Sequence, residues 1–152
     1  MDLSEPDRRL LREIQRDATL SLKDLAERLA MSQSTVWRRI QEFEAQGLIT
    51  SRVTLLNPER LGLGVCVFVH ANLRDHSTDS REAFERFIAD QPNVLECFSV
   101  TGPHDYVLLI RAEDVAAYED FLMHKLLAHP RVASAQSDFA LRQLKYSTML
   151  PI

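Results

Sequence analysis

The eight side chains best equipped for chemistry crowd into the span 32–41: Ser32, Gln33, Ser34, Thr35, Trp37, Arg38, Arg39 and Gln41. Hydroxyls, amides and guanidinium groups at this density are what pair with base edges and phosphates of a DNA duplex. On a helix turning about 100° per residue, Ser34, Arg38 and Gln41 fall opposite Val36, Ile40 and Phe43. Thr35 and Glu42 then sit at one edge, and Trp37 and Arg39 on the flanks. An ordinary packing helix with a solvated polar face has the same periodicity, so the neighbouring segments must decide. A second polar concentration, Thr101-Gly102-Pro103-His104-Asp105-Tyr106, interrupts an otherwise apolar stretch. There a carboxylate can hold an ammonium group and free backbone N–H groups can hold a carboxylate, although glycine and proline suit any tight turn.

The elements that must position the first set are short helices. Leu22, Leu25, Ala26 and Leu29 recur at helical spacing behind Ser21, a capping residue with Asp24 three positions on. The pattern breaks at Ala30-Met31-Ser32. Ser32 can cap the next helix, and Gly47 provides its left-handed stop. Residues 6–17 bring Leu10, Leu11 and Ile14 together, with Leu3 extending the stripe, and so form a third helix packed on the other two. Two helices broken by a short turn, the second polar outward, make a helix-turn-helix able to place Arg38 in a major groove. Leu48 to Leu55 has strand character. Arg52 there is either a wing residue beside DNA or a solvated residue on a plain linker strand.

Asn57-Pro58 and Leu61-Gly62-Leu63-Gly64 make residues 56–64 a hinge. Beyond it Val65, Val67, Val69, Ala71 and Leu73 alternate with Cys66, Phe68, His70 and Asn72, the period of a strand. A helix follows over 79–90, then strands over 94–100 and 105–111, a helix over 114–127 and a last strand from Val132 to about Arg142. The order β-α-β-β-α-β predicts a ferredoxin-like sheet with helices on one side. The chain is thus expected to be α+β, with a helix-turn-helix domain over 1–55, the hinge over 56–64 and the βαββαβ domain over 65–152. Because both faces of the first strand carry apolar atoms, the open face is expected to be buried against a second copy.

Composition bounds the alternatives. The 152 residues are 45% hydrophobic and 26% charged with a net charge of −4, which is ordinary globular material. The first sixty hold ten basic and ten acidic side chains, so the acidic excess lies entirely beyond them. A neutral first half presenting a local arginine face fits a DNA-binding module joined to an acidic partner module. No apolar run approaches the ~18 residues of a membrane span, no leader is read at Met1, and the location expected is the cytoplasm. Cys66 and Cys97 form no CxxC pattern. Cys66 and His70 share a strand face but stand roughly 13 Å apart along it, so a thiol or metal sensor is the weaker alternative and no metal site is expected. Neither a phosphate loop nor a nucleophile–base spacing is present, which argues against an enzyme.

The order of these parts resembles the Lrp/AsnC, or feast/famine, family of transcription regulators. DRRLLREIQRDATLSLKDLAERLAMSQSTVWRRIQEFEAQGLI, the hinge LNPERLGLG and TGPHDYVLLI carry the likeness, and QLKYSTMLPI resembles a cysteine-responsive subgroup. The resemblance implies a regulator without cofactor, whose dimers assemble into octamers or similar. It also implies a free amino-acid effector, bound near Thr101, Gly102, Pro103, His104, Asp105 and Tyr106 with help from Gln136 and Ser137. A sheet domain that only oligomerises and binds nothing is the other reading left open.

Overall fold

The computed structural model describes residues 3–152, which form two compact units, residues 3–55 with Leu144–Ile152, and Leu56–Gln143.

In the first unit α1 (Glu5–Arg16), α2 (Leu22–Leu29) and α3 (Gln33–Ala45) each begin on a serine. The Ser4, Ser21 and Ser32 hydroxyls accept the N–H groups of Asp7, Asp24 and Thr35, satisfying donors a helix start leaves free. At Ser21 the capping box closes, since the Asp24 carboxylate takes the Ser21 N–H at 3.0 Å. Between α2 and α3 the chain reverses through Ala30, whose φ of 53° is left-handed without being glycine. Gly47, at φ 70°, ends the pattern after α3. Leu10, Leu11, Leu25, Ala26, Leu29, Val36, Ile40 and Phe43 are buried together as the core, with Leu3 and Ile14 packed against it.

Two expectations change here. Leu48 to Leu55 forms no strand, because the described residues of the first unit supply no neighbouring strand to complete a ladder. Only Ile49 leans on the helical core. The tail, read from sequence as part of the second domain, packs with the helices instead. Gln15 and Leu150 exchange two hydrogen bonds of 2.9 Å, Arg12 Nε donates to the Ile152 carbonyl at 2.6 Å, and Ile152 covers the core.

The second unit opens on a single helical turn, Glu59–Leu61, within the expected hinge. Arg111, only 8% exposed, fastens it to the sheet by bonding Glu59 Oε1 at 3.3 Å and the Leu63 carbonyl at 3.5 Å. Then come β1 (Val65–Leu73), α4 (Thr78–Ala89), β2 (Val94–Ser99), β3 (Tyr106–Ala112), α5 (Val115–Phe121), which widens into a π-turn over Leu122–Leu126, and β4 (Val132–Phe139). The antiparallel sheet has the order β2-β3-β1-β4, the ferredoxin-like arrangement. Val67, Val69, Ala71, Leu108 and Ile110 pack with Phe84, Tyr118 and Phe121 of the helices. β4 stops at Phe139, short of Arg142: Phe139 pairs with Val67, Ala140 N–H reaches the Cys66 carbonyl, and there β1 runs out.

The other sheet face stays open. Register places Phe68 opposite Leu109 and Asp138, and Phe98 opposite Val107, with Phe68 43% and Phe98 55% exposed. Cys66 and Cys97 lie on opposite faces, for Cys97 pairs with buried Leu108 while Cys66 pairs with Arg111. Burial raises the Cys97 thiol to about 11, with Glu85 adding to the effect, so it stays protonated near neutrality. Among the described residues no three side chains of metal-binding type are placed to share an ion.

Candidate nucleic-acid interface and effector turn

On α3 the burial pattern divides the helix. Val36, Ile40 and Phe43 are buried, while Gln33, Ser34, Arg38 and Gln41 are exposed. Thr35 and Arg39 are half-buried at the edges. Ser32 belongs to the cap: its Oγ lies 3.0 Å from Ser34 Oγ and 2.8 Å from Thr35 Oγ1, so three hydroxyls cluster where the helix begins. Trp37 is 54% exposed and walls a cleft of about 300 Å³ with Ile14, Leu25 and Arg52, half packing and half surface. Arg39 has a second duty. Its Nε lies 3.4 Å from Asp7 Oδ1, tying α3 to α1, and Ser4 Oγ donates to that carboxylate at 2.6 Å. Arg38 projects freely except for Glu42 Oε1 at 2.6 Å. The eight side chains proposed from sequence therefore lie at the start of a single helix, on its outward face and on both flanks of that face, with Arg39 the most occupied by the fold.

The turn between β2 and β3 is less uniform. Thr101, Gly102 and Pro103 are exposed, and Gly102 holds φ 116°, open only to glycine without strain. Asp105 is spoken for. Its Oδ2 accepts the Leu73 N–H at 2.8 Å, its Oδ1 lies 2.9 Å from His76 Nε2, and its own N–H donates to Asn72 Oδ1 at 3.1 Å. Burial pushes the Asp105 carboxyl upward, but the Leu73 N–H, the His76 contact and the charges of His76 and His104 outweigh it and hold it below the usual carboxylate range. His104 packs against His70 with ring centroids 4.9 Å apart and the planes tilted by 39°, and Asn72 Nδ2 is 3.4 Å from both His104 Nδ1 and Ser134 Oγ. Across β1, His70 Nε2 is 3.3 Å from Asp138 Oδ2. Gln136 pairs with His70 and is exposed on this same face.

Tyr106 and Ser137 do not join them. Tyr106 is buried on the helix side against Phe84, 4.6 Å between rings, and its hydroxyl donates to Glu85 Oε1 at 3.3 Å. Ser137 hydrogen-bonds Tyr118 on that side too. Gln136 and Ser137 are adjacent in a strand, so their side chains must point to opposite faces. In their place the structure brings Asn72, His70, Ser134 and Asp138 to the turn. Strand alternation would have flagged all four, had the β1–β4 register been known.

With this geometry in view, comparison with known proteins decides the family. The family model of the Lrp/AsnC ligand binding domain matches residues 66–150, and that of the winged helix-turn-helix DNA-binding domain matches residues 3–50. The chain belongs to the Lrp/AsnC family. It is 35% identical to the glutamate uptake regulatory protein of Zymomonas mobilis over 99% of this chain and 91% of that one. It is 34% identical to the DNA-binding transcriptional activator DecR of Escherichia coli over 99% of both. A transcriptional regulator of Neisseria meningitidis solved in complex with L-methionine superposes with a TM-score of 0.95 at 35% identity, covering 99% of this chain and 97% of that one. This Lrp/AsnC protein is accordingly a DNA-binding transcription regulator with a ligand-binding domain, not an enzyme. Among its described residues no helix is long and apolar enough to cross a membrane.

Proposed function

We propose that this chain binds operator DNA as a homodimer, places α3 of each protomer in a major groove, and changes its assembly when a free amino acid binds at the β2–β3 turn. The division of α3 carries the reading: a buried stripe of Val36, Ile40 and Phe43 holds Ser34, Arg38 and Gln41 outward on a capped, rigid helix. Ser32, Gln33, Thr35, Trp37 and Arg39 frame that surface, positioned for phosphates as much as for bases. Two such helices address half-sites one helical turn, or a multiple of it, apart.

The effector would rest on Thr101, Gly102, Pro103, His104 and Asp105, with Gln136 beside them. Tyr106 and Ser137 would support that surface from beneath. The open backbone at Gly102, where a Cβ would meet nothing within 4 Å, suits a ligand carboxylate. That a relative at 35% identity was solved with L-methionine supports an amino acid as the class, and makes methionine the first to test. Dimerisation would cover the apolar patch of Phe68, Phe98 and Leu109, and further assembly, an octamer in the fullest form, would respond to the effector. A ligand moves that equilibrium only through unequal affinity for the two assemblies.

The test is a thermal-shift screen of the intact protein against the twenty amino acids, followed by light scattering and operator binding with any hit. A stabilising amino acid that also alters assembly or DNA affinity is the expected result. Twenty null responses would leave the sheet domain as an oligomerisation module alone, because a ligand specific for the folded state must raise its melting temperature.

A further inference from the structure

Glu42 and Glu44 each use both carboxylate oxygens to hold two donors, three of them on α3 and the fourth, Arg52, in the segment that follows it. Glu42 Oε1 takes Arg38 Nη1 at 2.6 Å and Oε2 takes Arg39 Nη1 at 3.2 Å. Glu44 Oε1 takes Arg52 Nη2 at 2.8 Å and Oε2 takes Gln41 Nε2 at 3.1 Å. The three arginines on α3 and in the segment behind it are thus all matched to carboxylates on α3, and Arg39 meets a second at Asp7. α3 itself, with Arg38, Arg39, Glu42 and Glu44, is electrically neutral.

Such a surface is poorly made for holding any duplex indiscriminately. Sequence-independent affinity comes from unpaired cations neutralising phosphates and releasing their counterions. Here an arginine reaching for a phosphate must leave its carboxylate, or bring that carboxylate toward the phosphates. On the correct sequence the loss is offset by bidentate bonds from arginine to guanine or glutamine to adenine. On a wrong sequence nothing offsets it. Resting on the assignment of α3 to the DNA interface, we infer that Glu42 and Glu44 are specificity-determining positioning residues, which keep Arg38, Arg39, Gln41 and Arg52 from binding DNA without regard to sequence.

The experiment uses the full chain and two duplexes of equal length and composition: one enriched from a random pool by the unaltered protein, the other its scrambled counterpart. Affinities are read by fluorescence anisotropy over a series of salt concentrations. Glu42→Gln and Glu44→Gln should each tighten the scrambled duplex several-fold, and each should steepen its log–log salt slope by about 0.9, one added phosphate contact. The selected duplex should change less, so the ratio of the two affinities falls. Glu42→Asp, which keeps a carboxylate one carbon shorter, should restore most of that ratio. Glu82→Gln, at an exposed position of α4 in the second unit, makes the same change in net charge and should do neither. The inference is overturned if the double Glu42→Gln/Glu44→Gln protein keeps the unaltered scrambled affinity and slope, if both duplexes shift by one factor, or if Glu82→Gln acts equally. Arg38→Ala separates this failure from that of the interface itself: if it leaves selected-duplex binding intact, α3 is not the reading helix; if it abolishes binding while the glutamate variants do nothing, only the clamp is wrong.

Discussion

α3 and the β2–β3 turn carry similar polar side chains, yet the fold treats them differently. On α3 the groups assigned to DNA face outward, held by one another and by Glu42 and Glu44 a turn or less away. At the turn the most chemically able group, Asp105, is bonded to Leu73 and His76, some thirty residues distant in sequence. A helix surface is assembled from local spacing, whereas a sheet edge is assembled from register. The first presents its chemistry to a partner already formed. The second spends part of its chemistry on closing the fold, and any ligand must share what is left.

The sharpest way to break this comparison is Arg38→Ala. Arg38 makes no contact that holds the fold beyond the exposed Glu42 pair, so dimer and melting temperature should stay unchanged. Operator affinity should fall by about 1–3 kcal/mol for each half-site, the worth of one bidentate base contact. Anisotropy titration against the selected duplex measures it, and unchanged binding would reject α3 as the reader.

Asp105→Ala comes next. It leaves the Leu73 N–H without its acceptor, an omission that costs about 1–3 kcal/mol when the group is shielded from water. Urea denaturation should show the sheet unit weakened, DNA binding without effector nearly normal, and the amino-acid response lost. Should the response survive alongside the stability loss, Asp105 is architecture only. Acid adds a second reading. Because the folded carboxyl lies below its ordinary value, its contribution is complete above about 3.8, the ordinary aspartate value, and disappears as pH falls through the lowered folded value. Asp75, held down to about 2 chiefly by the Ser77 hydroxyl, behaves in the same sense. Asp105→Asn should flatten the acid limb without the full loss seen for alanine.

The two regions also differed in how legible they were. Val36, Ile40 and Phe43 at helical spacing, between Ser32 and Gly47, determine α3 and its outward face without help from elsewhere. The sheet order followed from element types alone. What spacing could not show was which atoms meet across strands: that Asn72 sits opposite Ser134, that His104 packs against His70, or that Asp105 closes on Leu73. Leu48 to Leu55 misled for the related reason that strand composition does not guarantee a strand partner. Gln136 and Ser137 taught the same lesson at smaller scale. Gln136→Ala should lower effector affinity with little change in stability. Ser137→Ala, losing the Tyr118 bond on the helix side, should cost about 1 kcal/mol of stability and leave effector affinity as it was. Calorimetric titration of both variants with the same amino acid would tell; equal losses of affinity would mean that the ligand reaches both faces.

The smallest effect expected is at Ala30, and it probes the local side of the comparison. Its left-handed φ of 53° costs a residue with a Cβ about 1–2 kcal/mol, a strain the helix-turn-helix accepts to aim α3. Glycine would relieve that strain while widening the unfolded ensemble, so Ala30→Gly should stabilise the helical unit by no more than about 1 kcal/mol. Operator affinity should be unaffected, since the cap at Ser32 and the stripe of Val36, Ile40 and Phe43 still set the direction of α3. A fall in affinity at unchanged or higher stability would show instead that the rigidity of the turn, and not only the packing of its helices, holds Arg38 in place.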